Sequence, residues 1–459
     1  MVIENAAFNE LIKLAGWSGT YDDEVTITGQ DPVVRTGFRV GEIAAGIHAA
    51  RGVAVSNLWE LKTGRRQQAA IDVRAAAATL SSIMSMKVRG DERSQQQREQ
   101  PFAPGFYRTR DGRRVFIYTY ESQKVLKLLG CEPESVKEAV AGWYAQELED
   151  AIAKEGLGGA MVRSAEEWAK HPQGIILHKL PVIEVIKIGD SPPEPLPPGI
   201  QPLSGIRVLD LTIILAGPVC ARTLAEHGAD VLKIGCPARE DESHFDMDTG
   251  HGKRAALLDL NEDSDKEILW SLISKADVVS QSFRYGALNN KGFSPEAVAR
   301  VRPGIVYTSI NCYGHKGSWR ERRGWEPMAQ SVSGLAYEQG NGKPEMVPGA
   351  VDDYITGYNA AFGTLVALER RAREGGSYLV KTSLTQSGMW IYRHGRVARE
   401  NWEGLERNMP EEDIRRLSVE TNTPLGRLNH LAPVLNLSET PPHWTLPPVP
   451  LGTHKAVWL

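Results

Sequence analysis

The pieces Ile206-Arg-Val-Leu-Asp-Leu211, Thr212-Ile-Ile-Leu-Ala-Gly-Pro218 and Ala229-Asp-Val-Leu-Lys-Ile234 form the stretch that decides the fold. The first and last are short apolar runs rich in β-branched residues, the pattern of buried strands. Between them Pro218 suits the first turn of a helix, which carries Cys220, Leu224 and His227 and stops at Gly228. Residues 255–260, 277–283 and 304–310 read as further strands, with a helix over about 262–275. Strands and helices in alternation build a parallel sheet wrapped by helices, so the fold class is α/β.

Upstream, Asp190-Ser-Pro-Pro-Glu-Pro-Leu-Pro-Pro-Gly199 is too proline-rich for a helix or a central strand and reads as a stiff spacer. The predicted organisation is therefore a module over 1–190, a linker over 191–199 and a second module over 200–459. An internal echo crosses that linker. Asp353-Tyr-Ile-Thr-Gly357 leads into a helix with Gly357, Ala361, Thr364 and Ala367 at close spacing, then Gly375-Gly376 and a strand over 378–384. Gly37-Phe-Arg-Val-Gly41 likewise leads into a helix with Gly41, Ala45 and Ala49, followed by a strand over 69–73. Small residues at this spacing let a helix pack closely on a neighbour. In this register Gly37 stands where the second copy has Asp353, so a single copy holds the acid.

Composition narrows the function. The 53 Lys+Arg against 57 Asp+Glu leave a net charge of −4 over 459 residues, which gives no reason to expect nucleic acid or an anionic membrane as partner. No apolar run approaches the ~20 residues that cross a bilayer, and Met1-Val-Ile-Glu-Asn lacks the basic and apolar regions of a signal peptide. Cys131, Cys220, Cys236 and Cys312 are scattered, so a reducing, cytoplasmic setting is the default.

Few residues announce chemistry on their own. The turn 212–218, at a strand-to-helix switch, is placed for a backbone anion cradle. It is not a GxGxxG loop, and Lys233-Ile-Gly-Cys-Pro237 brings no ribose-binding acid, so NAD is disfavoured. Arg284, after a strand, and Lys253-Arg254, in the loop expected before another, are candidate phosphate ligands. Asp352 and Asp353 precede a helix, where N-capping is the ordinary role. The histidines have no HxxxH or HExxH spacing, so no metal site is indicated.

Taken in order, these segments resemble family III CoA-transferases. The resemblance runs through residues 206–234, Gly252-Lys-Arg254, Ser282-Phe-Arg-Tyr-Gly286, residues 302–314, Ala329-Gln-Ser-Val-Ser-Gly334 and Asp353 to Gly363. Residues 37–77, the run from Phe106 and Val162-Arg-Ser-Ala-Glu-Glu-Trp168 are similar to later parts of the same family, so the module order looks fused or rearranged. The resemblance implies a Rossmann-like parallel sheet domain with helices on both faces, plus a smaller α+β domain. It implies a homodimer, since relatives of usual order form interlocked rings of two chains. It also implies an enzyme that moves CoA from an acyl-CoA to a small carboxylic acid, with CoA arriving as substrate and no permanently bound cofactor.

By the same resemblance Asp353 is the nucleophile, forming an aspartyl–acyl anhydride and then an aspartyl-CoA thioester. Leu215, Ala216 and Gly217 would approach the pantetheine and the reacting carbonyl, with Tyr313 beside them, and Lys253, Arg254 and Arg284 would hold the phosphates. A free aspartate, with a pKa of about 3.9, would be ionised at neutral pH and need no base. Leu215 replaces the glutamine of formyl-CoA transferases, Tyr285 a proline and Asn311 a lysine of some relatives. Trp325 stands where the family's racemases carry a histidine base, which argues against racemisation, although Glu326 beside it could serve as the second base. A CoA-binding protein without catalysis is the remaining alternative.

Overall fold

A computed structural model describes residues 4–89, 101–238 and 243–459; the opening Met1-Val-Ile lies outside them. The N-terminal module comprises helix α1 (Ala6–Ala15), strand β1 (Val25–Thr28), helix α2 (Val40–Thr63), strand β2 (Ala69–Asp72) and helix α3 (Val73–Thr79). A small domain follows, with the antiparallel strands β3 (Gly105–Arg108), β4 (Arg114–Ile117) and β5 (Gly159–Met161) backed by short helices. Val115, Ile117, Val125, Val140 and Leu148 give it a core of its own.

The large sheet has seven strands. They are β6 (Glu184–Gly189), β7 (Arg207–Asp210), β8 (Asp230–Gly235), β9 (Lys253–Leu257), β10 (Val278–Gln281), β11 (Val306–Asn311) and β12 (Ser377–Ser383). Their spatial order is β9-β8-β7-β10-β11-β12-β6, parallel throughout except for β6, which runs antiparallel to β12. Neighbouring residues of one strand face opposite sides of a sheet. Val208, Val231, Val278 and Val306 enter one core, while Leu209, Leu232, Val279 and Tyr307 enter another. Both faces are covered, which is why these strands read as unbroken apolar runs. Four helices matter for the site: α4 (Ala216–Ala225), α5 (Glu326–Ser333), α6 (Val351–Glu374) and α7 (Leu384–Arg393).

The α/β class holds, with two differences of detail. Strand β9 begins two residues before its expected position, so Lys253 and Arg254 are its first two residues and not a loop. The proline-rich stretch also does not separate two self-contained units. Strand β6, from before it, completes the large sheet, and Asn436–Leu437 adds strand β13 antiparallel to β2 in the N-terminal module. The core on the α4/α6 side runs from Ala7 through Val53 and Leu224 to Leu437, so the two modules share one apolar interior.

The echo is real but its register differs from the one read in the sequence. Helices α2 and α6 are each 24 residues long and end on Gly64 and Gly375 at φ 74° and 71°. A Cβ on Gly52 would strike the Ala69 side chain on β2, and one on Gly363 would lie 2.7 Å from Val380 on β12. Gly46 and Gly357 correspond in the same way, at the crossings of α1 on α2 and of α4 on α6. Asp353 is therefore matched by Glu42, not Gly37, and both copies carry an acid. Helix geometry sets this register, because the crossing helix needs glycine at one level only.

Candidate active site

Asp353 is the third residue of α6 and is buried, with 9% exposure. Its carboxylate accepts the backbone N–H of Ala216, the first residue of α4. Two helix N-termini thus meet at this group, an arrangement that favours negative charge. Glycine makes the meeting possible: a Cβ on Gly357 would lie 2.5 Å from the Ala216 carbonyl oxygen and 2.8 Å from Val219. Gly217 is needed for a similar reason, since a Cβ there would overlap Thr212. Within the same turn Ile214 has φ 64°, a left-handed conformation that β-branched residues rarely adopt. The turn is pinned from the next strand, where Ser282 Oγ accepts the Ile213 N–H at 2.9 Å.

Electrostatics correct one expectation. Burial pushes the Asp353 carboxyl well above the usual carboxylate range, and the nearby Glu326 raises it further, against the single N–H of Ala216. Among the described residues no lysine or arginine pairs with it. Burial among acids thus favours the neutral form of Asp353 over the ionised form expected of a free aspartate. Glu326, the first residue of α5, is the neighbour suited to take its proton. Burial pushes it up to about 7, moderated by hydrogen bonds from Gln330 Nε2 at 2.5 Å and from the Asp352 N–H. Asp352 is fully buried and lies beside both.

The small domain closes over this corner. Trp325 stacks on Tyr118 with ring centroids 5.2 Å apart and leans on Tyr120 at 5.9 Å. Gly158 lets it in, since a Cβ there would come within 2.8 Å of the indole. Tyr118 and Tyr120 escape a sequence reading, for which Gly158-Gly159 is the one local signal.

On the other side of the turn is a cavity of about 220 Å³ at the carboxyl ends of β7 to β10. Ile213, Ile234, Leu258 and Phe283 make most of its wall apolar, and Lys233 and Lys291 are its cations. Lys233 bridges to Asp246 at 3.2 Å, and Lys291 donates to Asn261 Oδ1 at 2.8 Å. In open α/β sheets this end of the strands is where ligands sit.

The named residues divide accordingly. Leu215 caps α4 and is buried, and Ala216 and Gly217 adjoin Asp353. Arg284 is exposed just after β10, next to the cavity residue Phe283. Lys253 and Arg254 are engaged elsewhere. Lys253 Nζ donates to Asp210 Oδ2 and to the Pro218 carbonyl, both at 2.8 Å, and burial lowers it to about 8. Arg254 pairs with Asp230, the first residue of β8, at the end of the sheet opposite the cavity. Neither presents a free cation to a phosphate, because each neutralises a carboxylate within the sheet. Tyr313 is buried with its ring edge-on to Trp319 at 5.1 Å, and no hydrogen bond joins it to Asp353 among the described residues.

The model of CoA-transferase family III matches residues 19–176 and 203–418. An acetyl-coenzyme A transferase of Hypoxylon pulicicidum is 32% identical over 335 residues, covering 66% of this chain and 56% of that protein. The beta subunit of a succinyl-CoA–L-malate CoA-transferase of Chloroflexus aurantiacus is 31% identical over 201 residues, 40% of this chain and 50% of that one. A crystal structure of a CAIB/BAIF family protein from Brucella suis superposes with a TM-score of 0.40 at 28% identity, over 42% of this chain and 56% of that chain. The chain spans about half the length of the curated relatives it matches.

Proposed function

The chain belongs to CoA-transferase family III, and from that premise we propose that it moves CoA from an acyl-CoA to a carboxylic acid with Asp353 as nucleophile. The observation that carries this reading is a buried carboxyl at the meeting of two helix N-termini, bonded to the Ala216 N–H, with Glu326 beside it. Ionised Glu326 takes the Asp353 proton when substrate binds. The Asp353 carboxylate attacks the thioester carbonyl, the C–S bond breaks, and CoA thiolate leaves an aspartyl–acyl anhydride. The thiolate then attacks the aspartyl carbonyl, releasing the donor's carboxylate and forming an aspartyl-CoA thioester. An acceptor carboxylate attacks that thioester, giving a second anhydride and thiolate. Attack of the thiolate on the acceptor's carbonyl yields the new acyl-CoA and restores Asp353. Covalent steps of this kind keep the thioester's free energy through the transfer.

The cavity beside the turn suits the apolar and adenosine parts of CoA, and exposed Arg284 at its edge is the phosphate candidate. Tyr313, Lys253 and Arg254 take supporting positions in this reading, through Trp319, Asp210 and Asp230. A homodimer, expected from resemblance, would sediment at twice the 50.5 kDa of one chain. A cytoplasmic setting accords with four free thiols, and no described helix is long and apolar enough to cross a membrane.

Intact-protein mass spectrometry after incubation with a panel of acyl-CoAs tests the reading. A hydroxylamine-sensitive CoA adduct on the Asp353 peptide supports it; measurable CoA binding with no adduct from any donor overturns it. Glu326, poised at about 7 beside a second carboxyl, favours one other reading, α-proton exchange on an acyl-CoA. Solvent deuterium entering the α-carbon without transfer would select that instead.

A further inference from the structure

Three carboxyls share the corner between α5 and α6, and their hydrogen-bond donors are unequally distributed. Asp353 receives the Ala216 N–H. Glu326 receives Gln330 Nε2 and the Asp352 N–H. Asp352 has 0% exposure, and neither of its oxygens has a hydrogen-bond partner among the described residues. Ser333 Oγ, also buried, is likewise without a partner among the described residues. A Cβ on Gly388 of α7 would lie 3.0 Å from Asp352 Oδ2 and 2.6 Å from Ser333 Oγ, so these two groups face one small space.

A buried carboxylate anion without a donor or a cation is far costlier than a neutral carboxyl in the same place. The groups that face Asp352 offer no positive charge. They are Glu326 from α5, Cys312 from the end of β11 and Asp353 beside it. Helix α7 presents Thr385 and Gly388, and Ser387 is bonded to Thr356. On α4 the cation, Arg222, is held by Asp248, and on α2 His48 packs on Tyr358 further along α6.

We propose that Asp352 is a positioning residue that stays a neutral acid while Asp353 reacts, so that none of the three carboxyls opposes the acceptor carboxylate when it enters. This rests on Asp353 being the nucleophile. Ionisation of Asp352 places an anion beside the acceptor's path and disfavours its binding. Burial and both neighbouring acids hold Asp352 well above the usual carboxylate range, in keeping with the donor pattern.

The test is the pH dependence of kcat/KM for the acceptor acid in the wild type, Asp352→Asn and Asp352→Ser, the last serving if the amide does not fold. The wild type is expected to lose activity on the alkaline side, about tenfold per pH unit beyond one ionisation. The neutral variants are expected to keep the wild-type value at neutral pH within about threefold and to lack that alkaline fall. A purely structural role would lower stability and leave the shape of the profile alone. An alkaline fall unchanged in the variants overturns the proposal, as does a wild-type profile flat to about pH 10 or a folded variant inactive at every pH. Failure of the underlying reading is separately visible, because the wild type would then form no Asp353 adduct.

Discussion

Helices α2 and α6 begin with similar material and end in different chemistry. Each has 24 residues, each ends on a left-handed glycine, and each passes directly through a strand into another helix. Glu42 and Asp353 occupy matching first-turn positions. Glu42 is half-buried, and its carboxylate accepts from Arg39 Nη1 at 3.1 Å and from the Asp31 N–H at 3.1 Å. Asp353 has the Ala216 N–H and two acidic neighbours. The crossing helix differs as well. In the first copy α1 brings Asn5, whose side chain donates to the Glu42 carbonyl at 2.7 Å and fills the place beside Gly46. In the second, α4 follows a strand of the large sheet and brings a strained turn with a cavity behind it. An acid with a cation partner has its contacts settled by the fold, whereas an acid buried among acids is pushed toward its neutral form.

The sharpest way to break this comparison is to remove both acids. Asp353→Ala is expected to lower turnover by at least about a thousandfold, with CoA affinity by calorimetry within about threefold of wild type. Glu42→Ala is expected to leave turnover within about threefold, and an equal loss in both would erase the distinction. Next in size is Glu326→Gln. Glu326 must be ionised to take the proton, so wild-type kcat/KM should fall as pH drops below about 7. The glutamine variant should be slower by about a hundredfold and lack that acidic fall; an unchanged profile would remove Glu326 from proton transfer.

Glycine substitutions separate packing from chemistry. Gly357→Ala forces α4 away from α6 and should cost about 1–3 kcal/mol in denaturant unfolding together with activity. Gly46→Ala meets Asn5 on α1 and should cost a similar roughly 1–3 kcal/mol with turnover preserved per folded molecule. An effect of similar size, confined to stability, belongs to Asp31, which burial pushes up to about 7. Its folded-state pKa exceeds the unfolded value of about 3.9, so its stabilising contribution is present in acid and lost as pH rises through 7. Asp31→Asn should therefore gain roughly 1–3 kcal/mol on wild type between about pH 5 and 8. Parallel melting curves across that range would deny the burial effect.

The strands and their order of appearance were legible because each is apolar on both faces, a signal that does not depend on neighbours. Residues 206–211, 229–234, 277–283 and 304–310 contain or overlap β7, β8, β10 and β11. Asp353 with the turn at Ala216 was legible through resemblance, and the structure brings those two together. Lys253 and Arg254 were misleading because a charge in a sequence carries no record of its partner, and here Asp210 and Asp230 hold them. The aromatic wall of Tyr118, Trp325 and Tyr120 was invisible because its members lie two hundred positions apart and meet only when the small domain docks.

What the sequence by itself determined is the α/β class, the buried strands and the acid at the head of a long helix, since periodicity and local turn chemistry act over a few residues. The burial of that acid, its closeness to Glu326 and Asp352 and the neutral role inferred for Asp352 come from tertiary structure. A carboxyl's pKa depends on how much water, how many donors and which charges surround it, and those come from α4, α5 and α7, which only folding brings to one place.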